Sequence, residues 1–238
     1  MLQDKIDEAT SILLKVATPR TMENPMVLFS GGKDSIVTAH LLKKVLGVTR
    51  GFSESSLIPN ELDLEIRDIA KSMGLNIVYK NNISETKFAK NWFNQVPPKK
   101  WKASDCDKIR HWDSIPKFAK KNNITMMVFG RRLEENTIPK PFYYTKKYGK
   151  ALQVHPIYNW TRAEVFEYKV KEGLAFPKCY EEGQKHLFNI VSMMQFEFKA
   201  SGDINKCFDI LAKDHLSYLI EGAKVDERAA KYLLENGY

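Results

Sequence analysis

The sequence predicts an α/β fold, a doubly wound parallel sheet with a helical C-terminal region. Three observations carry this. Between residues 26 and 129, short apolar runs alternate with amphipathic stretches of helical period. A Gly-rich turn, Ser30-Gly31-Gly32-Lys33-Asp34-Ser35, joins the first apolar run to the first long amphipathic stretch. Residues 186–238 are amphipathic at helical spacing and contain no strand-like run.

Each element follows from local signals. Residues 4–17 read as a helix on Ile6, Ile12, Leu13 and Val16, with Pro19 and Pro25 as punctuation. Met26 to Phe29, bounded by Pro25 and Gly31, reads as a buried strand. Residues 34–46 form a helix with Ile36, Val37, Leu41, Leu42 and Val45 inward and Gly47 as its stop. Val48 to Ser53 is a second strand. Asn60 caps a helix running to Met73, ended by Gly74. Asn76 to Lys80 is a third strand, and the strand-helix-strand order implies right-handed crossovers. Residues 84–95 are helical, and 96–104 form a basic loop containing Pro97, Pro98, Lys99, Lys100, Trp101 and Lys102. Residues 107–122 are helical, with Pro116 as a kink or boundary. Ile124 to Phe129 is a fourth strand, ending at Gly130-Arg131-Arg132. Residues 141–154 suggest a hairpin around Tyr148-Gly149, and 161–172 a helix capped by Thr161 and stopped by Gly173. The expected division is an N-terminal helix at 1–24, a nucleotide-binding domain at 25–185 and a helical region at 186–238.

The 238 residues carry 37 Lys and Arg against 29 Asp and Glu, a formal charge of +8. That balance favours an anionic partner: nucleotide, phosphate, sulfate or nucleic acid. No apolar run approaches the roughly 18 residues of a membrane span. The start of the chain does not resemble a signal peptide, and Cys106, Cys179 and Cys207 lie far apart. Both point to a reducing cytoplasm without a disulfide framework. Three thiols cannot ligate an iron–sulfur cluster from one chain, so none is expected. His111, His155, His186 and His215 lack the close spacing of a zinc site.

The chemistry concentrates in residues 30–35. A phosphate cradle needs several backbone N–H groups converging beside a helix N-terminus. Two glycines allow that turn and a close approach. Lys33 supplies a point charge, Ser30 and Ser35 supply hydroxyls, and Asp34 can cap the helix or hold a metal ion. The spacing is not that of a Walker A loop. Five fixed residues at roughly one in fifteen each match by chance on the order of 10⁻⁶ per position. Arg131 and Arg132 fall at the carboxyl end of a strand, where open parallel sheets bind ligands. Their guanidiniums suit oxyanion recognition, solvated surface being the bland alternative.

The segment Ser30 to Ser35 resembles the Ser-Gly-Gly-x-Asp-Ser loop of the PP-loop ATP pyrophosphatases, the adenine nucleotide alpha hydrolase-like superfamily. Further segments resemble its phosphoadenosine phosphosulfate (PAPS) reductase branch. They are Phe52-Ser53-Glu54 with Ile58-Pro59-Asn60-Glu61, Cys106 to Arg110, Gly130 to Glu135, His155 to Trp160, Gly173 to Pro177 and Tyr180 to Gly183. The resemblance covers about residues 24–185. It implies a nucleotide site made of Ser30, Gly31, Gly32, Lys33, Asp34, Ser35, Phe52, Ser53, Glu54, Lys108, Gly130, Arg131 and Arg132. Lys33, Asp34, Arg131 and Arg132 are the implied catalytic residues, and Asp34 the ligand of Mg²⁺. Reductases of the family end in a Glu-Cys-Gly-Leu-His tail, whereas this chain ends Leu234-Glu235-Asn236-Gly237-Tyr238. The implied activity is therefore pyrophosphate release from ATP, with an unidentified acceptor adenylated. The rivals are a sulfonucleotide reductase acting on PAPS or APS without that cysteine, an FMN adenylyltransferase, and a non-catalytic nucleotide-sensing or nucleic-acid-modification subunit. In the last, the basic loop at 97–102 docks nucleic acid, with Trp101 stacked on a base. A homodimer is a further expectation; a membrane partner is not.

Overall fold

A computed structural model describes residues 1–54, 57–80, 84–93, 114–135, 140–181 and 190–238. The basic loop at 97–102, Cys106 and Lys108 lie outside the described residues. The elements are α1 (Leu2–Val16), β1 (Pro25–Leu28), α2 (Lys33–Leu46), β2 (Arg50–Glu54), α3 (Asn60–Ser72), β3 (Asn76–Lys80) and α4 (Glu85–Trp92). They continue with α5 (Ser114–Lys121), β4 (Met126–Val128), β5 (Phe142–Tyr144), β6 (Leu152–Val154), α6 (Arg162–Glu172), α7 (Lys178–Glu181), α8 (Ile190–Ser201), α9 (Ile204–Ala223) and α10 (Glu227–Glu235).

Among the described residues the strands form one six-stranded sheet, ordered β3-β2-β1-β4-β6-β5. Every neighbouring pair is parallel except the edge pair β5–β6, which is antiparallel. The expected α/β class and the helical C-terminal region are both present. The hairpin expected over 141–154 is the source of the antiparallel edge: Phe142 faces Val154 and Tyr144 faces Leu152, with a 3₁₀ turn at Lys146–Tyr148 between. Pro116 falls in the first turn of α5, where a missing N–H costs nothing. Asn60, expected as a cap, is instead the first residue of α3.

The chain divides into two compact units. The first comprises Met1–Glu54, Leu64–Lys80 and Ser114–Glu181. It holds the sheet, with β1 and β4 buried between helical layers. Its apolar core includes Met26, Phe52, Ile115, Ala119, Ile124, Met127 and Phe129. Helix α1 buries Ala9, Ile12, Leu13 and Val16 and packs on α2 and α6. The second unit comprises Ser55–Asp63, Asn81–Asp113 and Glu182–Tyr238. Helices α4, α8, α9 and α10 close on a core of Phe88, Trp92, Phe93, Phe208, Tyr218 and Tyr232. At Gly222 any Cβ would lie 2.2 Å from the Phe93 ring, so α9 seats against that ring at a glycine. Helix α9 kinks at His215, whose Nε2 donates to the Ile58 carbonyl at 3.0 Å.

The strand order positions the site. From β1 the chain proceeds to β2 and β3 on one side, then returns to lay β4 on the other side of β1. The crevice between diverging connections opens at the carboxyl ends of β1 and β4. Residues 30–35 follow β1, and residues 129–132 follow β4.

Candidate functional site

The turn after β1 depends on Gly31, whose φ of +76° lies in the left-handed region. A Cβ there would also come within 2.5 Å of the Ile66 side chain. Gly32 is the N-cap of α2 and offers no side-chain oxygen to the first-turn amides. Helix geometry leaves those amides without intrahelical partners, a place for a ligand anion. The loop is braced from within. Ser35 Oγ donates to the Gly32 carbonyl at 2.8 Å and accepts from Ser30 Oγ at 3.2 Å, while the Gly32 N–H donates to Ser30 Oγ at 3.3 Å.

Gly130 ties the two connections together. A Cβ on it would stand 2.6 Å from the carbonyl carbon and oxygen of Asp34 and 2.8 Å from the Ser35 nitrogen. Only a glycine lets the chain leaving β4 press against the first turn of α2. That contact delivers Arg132 to Asp34. The Arg132 Nε donates to Asp34 Oδ1 at 2.7 Å, Nη1 to Glu134 Oε2 at 2.5 Å and to the Trp160 carbonyl at 3.3 Å, and Nη2 to Glu135 Oε1 at 2.9 Å. Lys33 Nζ pairs with Asp34 Oδ2 and lies 3.3 Å from Glu135 Oε1. Both cations are buried, Lys33 being 4% and Arg132 2% exposed. Burial works against the charge on Arg132. The neighbouring Asp34 charge and the bond to Glu134 outweigh it, so the guanidinium pKa stands above its ordinary value. The bond from Arg132 holds the Glu134 carboxyl below the usual carboxylate range.

The tandem arginines thus part company. Arg131 is exposed, and its guanidinium carbon sits 5.2 Å from the Phe129 ring centre. Among the described residues Arg131 makes no ion pair. Behind it, His155 is fully buried between the rings of Phe129 and Tyr143, at centroid distances of 5.1 and 5.6 Å. Among the described residues neither ring nitrogen has a hydrogen-bond partner. Burial, aided by the Arg131 charge, pushes the His155 pKa down to about 3. The unfolded chain therefore binds the extra proton first. Stability is expected to fall as pH drops from about 6.5 toward 3, by about 2 kcal/mol between pH 6.5 and 5 for one such group. Urea unfolding at the two pH values checks this. His155→Phe should remove that part of the slope, and an unchanged slope would show that other groups carry it.

Of the other expected nucleotide residues, Ser53 and Glu54 lie buried at the carboxyl end of β2. Ser53 Oγ is buried without a hydrogen-bond partner among the described residues. Phe52 sits in the apolar core with its ring 4.1 Å from that of Phe118. Tyr180 escaped the sequence reading as a site residue. Its ring centre is 5.9 Å from Lys33 Nζ. Burial, with the nearby Cys179, Asp34 and Glu135 charges, pushes its hydroxyl pKa up, so it remains a proton donor. Tyr180 belongs to the four-residue helix α7, too short for any periodic signal. Cys207 belongs to the second unit. Its Sγ donates to the Met194 carbonyl at 3.4 Å and burial pushes its pKa up to about 12. Such a thiol is inert. No group of three His, Cys, Asp or Glu side chains among the described residues is arranged to hold a metal ion. Among them, too, no helix is long and apolar enough to cross a membrane.

A glycine-turned loop and a basic strand end thus meet at the switch point of a parallel sheet. The model of the phosphoadenosine phosphosulfate reductase domain matches residues 24–207, which contain all of these groups. The chain belongs to this family. Its PAPS reductase domain is similar in fold to the crystal structure of phosphoadenylyl-sulfate (PAPS) reductase from Candida auris in a phosphate complex. The TM-score is 0.55 and the identity 13%, over 76% of this chain and 90% of that one. An uncharacterised protein of Methanocaldococcus jannaschii is 26% identical over 188 residues. That match takes in 76% of this chain but only 38% of the relative, so the chain spans well under half of that protein's length.

Proposed function

We propose that this chain binds an adenine nucleotide at the Ser30–Ser35 loop and releases pyrophosphate from Mg-ATP, passing the adenylyl group to an acceptor. The observation that carries the reading is the close contact of Gly130 with the Asp34 and Ser35 backbone. It gathers the uncapped first turn of α2, Lys33 and Arg132 around one point at the sheet's switch point. The acceptor oxygen attacks the α-phosphorus, the bond to the bridging oxygen of the β-phosphate breaks, and pyrophosphate leaves with the electron pair. The α2 amides and Lys33 would receive the charge that develops on the leaving phosphates. Ser53 Oγ, buried and unpartnered among the described residues, supports a ligand beside β2.

Magnesium fits the donor set. Mg²⁺ is usually held by one or two carboxylates plus substrate phosphates rather than by a cage of side chains. The Asp34 carboxylate accepts from Lys33 and Arg132 on different oxygens, leaving further lone pairs on both. Asp34 would hold the ion, which supplies neutralisation of phosphate charge.

Titration calorimetry tests the reading. Mg-ATP is expected to bind saturably, and Lys33→Ala to weaken binding by roughly 10- to 150-fold, the worth of a hydrogen bond to a charged group. Equal affinities in the two proteins would remove residues 30–35 from the phosphate site. Release of pyrophosphate from ATP, followed by a coupled phosphate assay, then separates adenylation from sulfonucleotide reduction.

A further inference from the structure

We infer that Glu135 is a specificity-determining residue, an internal anion that closes the Lys33–Arg132 pair to monophosphate and sulfate and opens it to a polyphosphate chain. This rests on the reading of Ser30–Ser35 as a phosphate loop. One oxygen of Glu135, Oε1, accepts from both cations, at 2.9 Å from Arg132 Nη2 and 3.3 Å from Lys33 Nζ. Lys33 and Arg132 are buried while the Glu135 side chain is 33% exposed. The cations are fixed, and the carboxylate sits on their solvent side, where an incoming anion would bind. Two buried positive charges without a counter-anion would be costly. Asp34 supplies one from within the α2 turn, and Glu135 supplies a second on the solvent side when no ligand does.

The other carboxylates are committed differently. Asp34 bridges the same two cations from within the α2 turn. Glu134 accepts from Arg132 and also from the Arg162 N–H at the start of α6, at 2.9 Å. Among the described residues the Glu135 carboxylate bonds only the two cations, and its own backbone N–H donates to the Arg132 carbonyl at 3.1 Å.

The selectivity follows from what a ligand gains by exchange. A monophosphate or sulfate that displaces Glu135 regains the two contacts that Glu135 gives up, and little else. It also faces Asp34 and Glu134, so that three carboxylates oppose two cations until Glu135 has moved away. A polyphosphate places a second phosphoryl group on the first-turn amides of α2, which Glu135 does not occupy. That added contact carries the displacement. The apparent affinity of any anion is lowered by the fraction of molecules in which Glu135 has withdrawn. For a minor state of about 10% the penalty is about tenfold.

The experiment is calorimetric titration of the full chain and of Glu135→Gln with inorganic phosphate, sulfate, pyrophosphate and Mg-ATP. Phosphate and sulfate are expected to bind Glu135→Gln about tenfold or more tighter than the parent, at a lowered melting temperature in the absence of ligand. Pyrophosphate should gain less, so the preference for pyrophosphate over phosphate narrows. Unchanged phosphate and sulfate affinity in Glu135→Gln would overturn the inference, as would weaker binding of all four anions, which would make Glu135 a supporting ligand. Glu135→Asp retracts the charge by one methylene and covers the case in which Glu135→Gln does not fold; it should show part of the same gain. The broader reading fails separately. If neither protein binds Mg-ATP or pyrophosphate, yet phosphate tightens in Glu135→Gln, Glu135 guards an anion site that is not an ATP site.

Discussion

Replacing Arg132 by alanine is expected to lower the unfolding free energy by about 3 kcal/mol, near the lower end of what breaking a buried ion pair costs. The side chain makes four hydrogen bonds, to Asp34, Glu134, Glu135 and the Trp160 carbonyl through three nitrogens, and is buried at 2% exposure. Its loss leaves three carboxylates around one lysine. The figure stays near the low end because the Glu134 and Glu135 side chains are 46% and 33% exposed, so water screens part of the repulsion. Arg132→Lys should recover little, since an ammonium cannot reach three carboxylates through a planar fork. Arg131→Ala, one residue earlier, should stay within about 0.5 kcal/mol, as surface substitutions do. Urea unfolding followed by circular dichroism measures both. Similar small effects at 131 and 132 would mean that the buried network contributes nothing to the fold.

The second large effect is expected at Gly130. An alanine methyl there would stand 2.6 Å from the Asp34 carbonyl and 2.8 Å from the Ser35 nitrogen. These are backbone atoms of a helix's first turn and cannot rotate away. Overpacking of this kind costs about 1–3 kcal/mol. The larger consequence is positional, because relief requires the end of β4 and the start of α2 to separate. A misplacement of about 1 Å costs on the order of 100-fold where groups must converge. Gly130→Ala is therefore expected to weaken Mg-ATP binding by about 100-fold while the far-ultraviolet spectrum keeps its helical signature. A dissociation constant within about threefold of the parent would show that the two connections act independently.

Much of this architecture was legible in the sequence because its signals are local. The strand, glycine turn and helix around residues 30–35 each carry their own signature, and Thr161 caps α6 as expected, with Glu164 reaching back to it. What was not legible depends on neighbours distant in the chain. Nothing near Met126–Val128 says that it pairs with β1 rather than β3. Phe52 belongs to a strand covered on both faces, where Gly51, Phe52, Ser53 and Glu54 are all buried. Alternation then gives no clue to which residue faces a ligand and which the core. Nothing in the sequence around His155 shows that Phe129, just after β4, and Tyr143 of β5 enclose it. The contrast between Arg131 and Arg132 hangs on where β4 ends, the least readable property of any strand.

That contrast also bears on how this segment tolerates change in length. Phe129 and Arg132 are buried while Arg131, between them, is exposed. One inserted or deleted residue between Val128 and Arg131 would carry Gly130 and Arg132 away from the positions where they meet the first turn of α2. With one residue inserted, the exposed Arg131 would stand where Arg132 now meets the carboxylates; with one deleted, Leu133 would; in either case the glycine would no longer meet the α2 backbone. Substitutions at Leu133, which is 47% exposed, disturb none of these contacts. The spacing from β4 to Arg132 is therefore held to a single value, whereas the identity of its surface residues is free to drift.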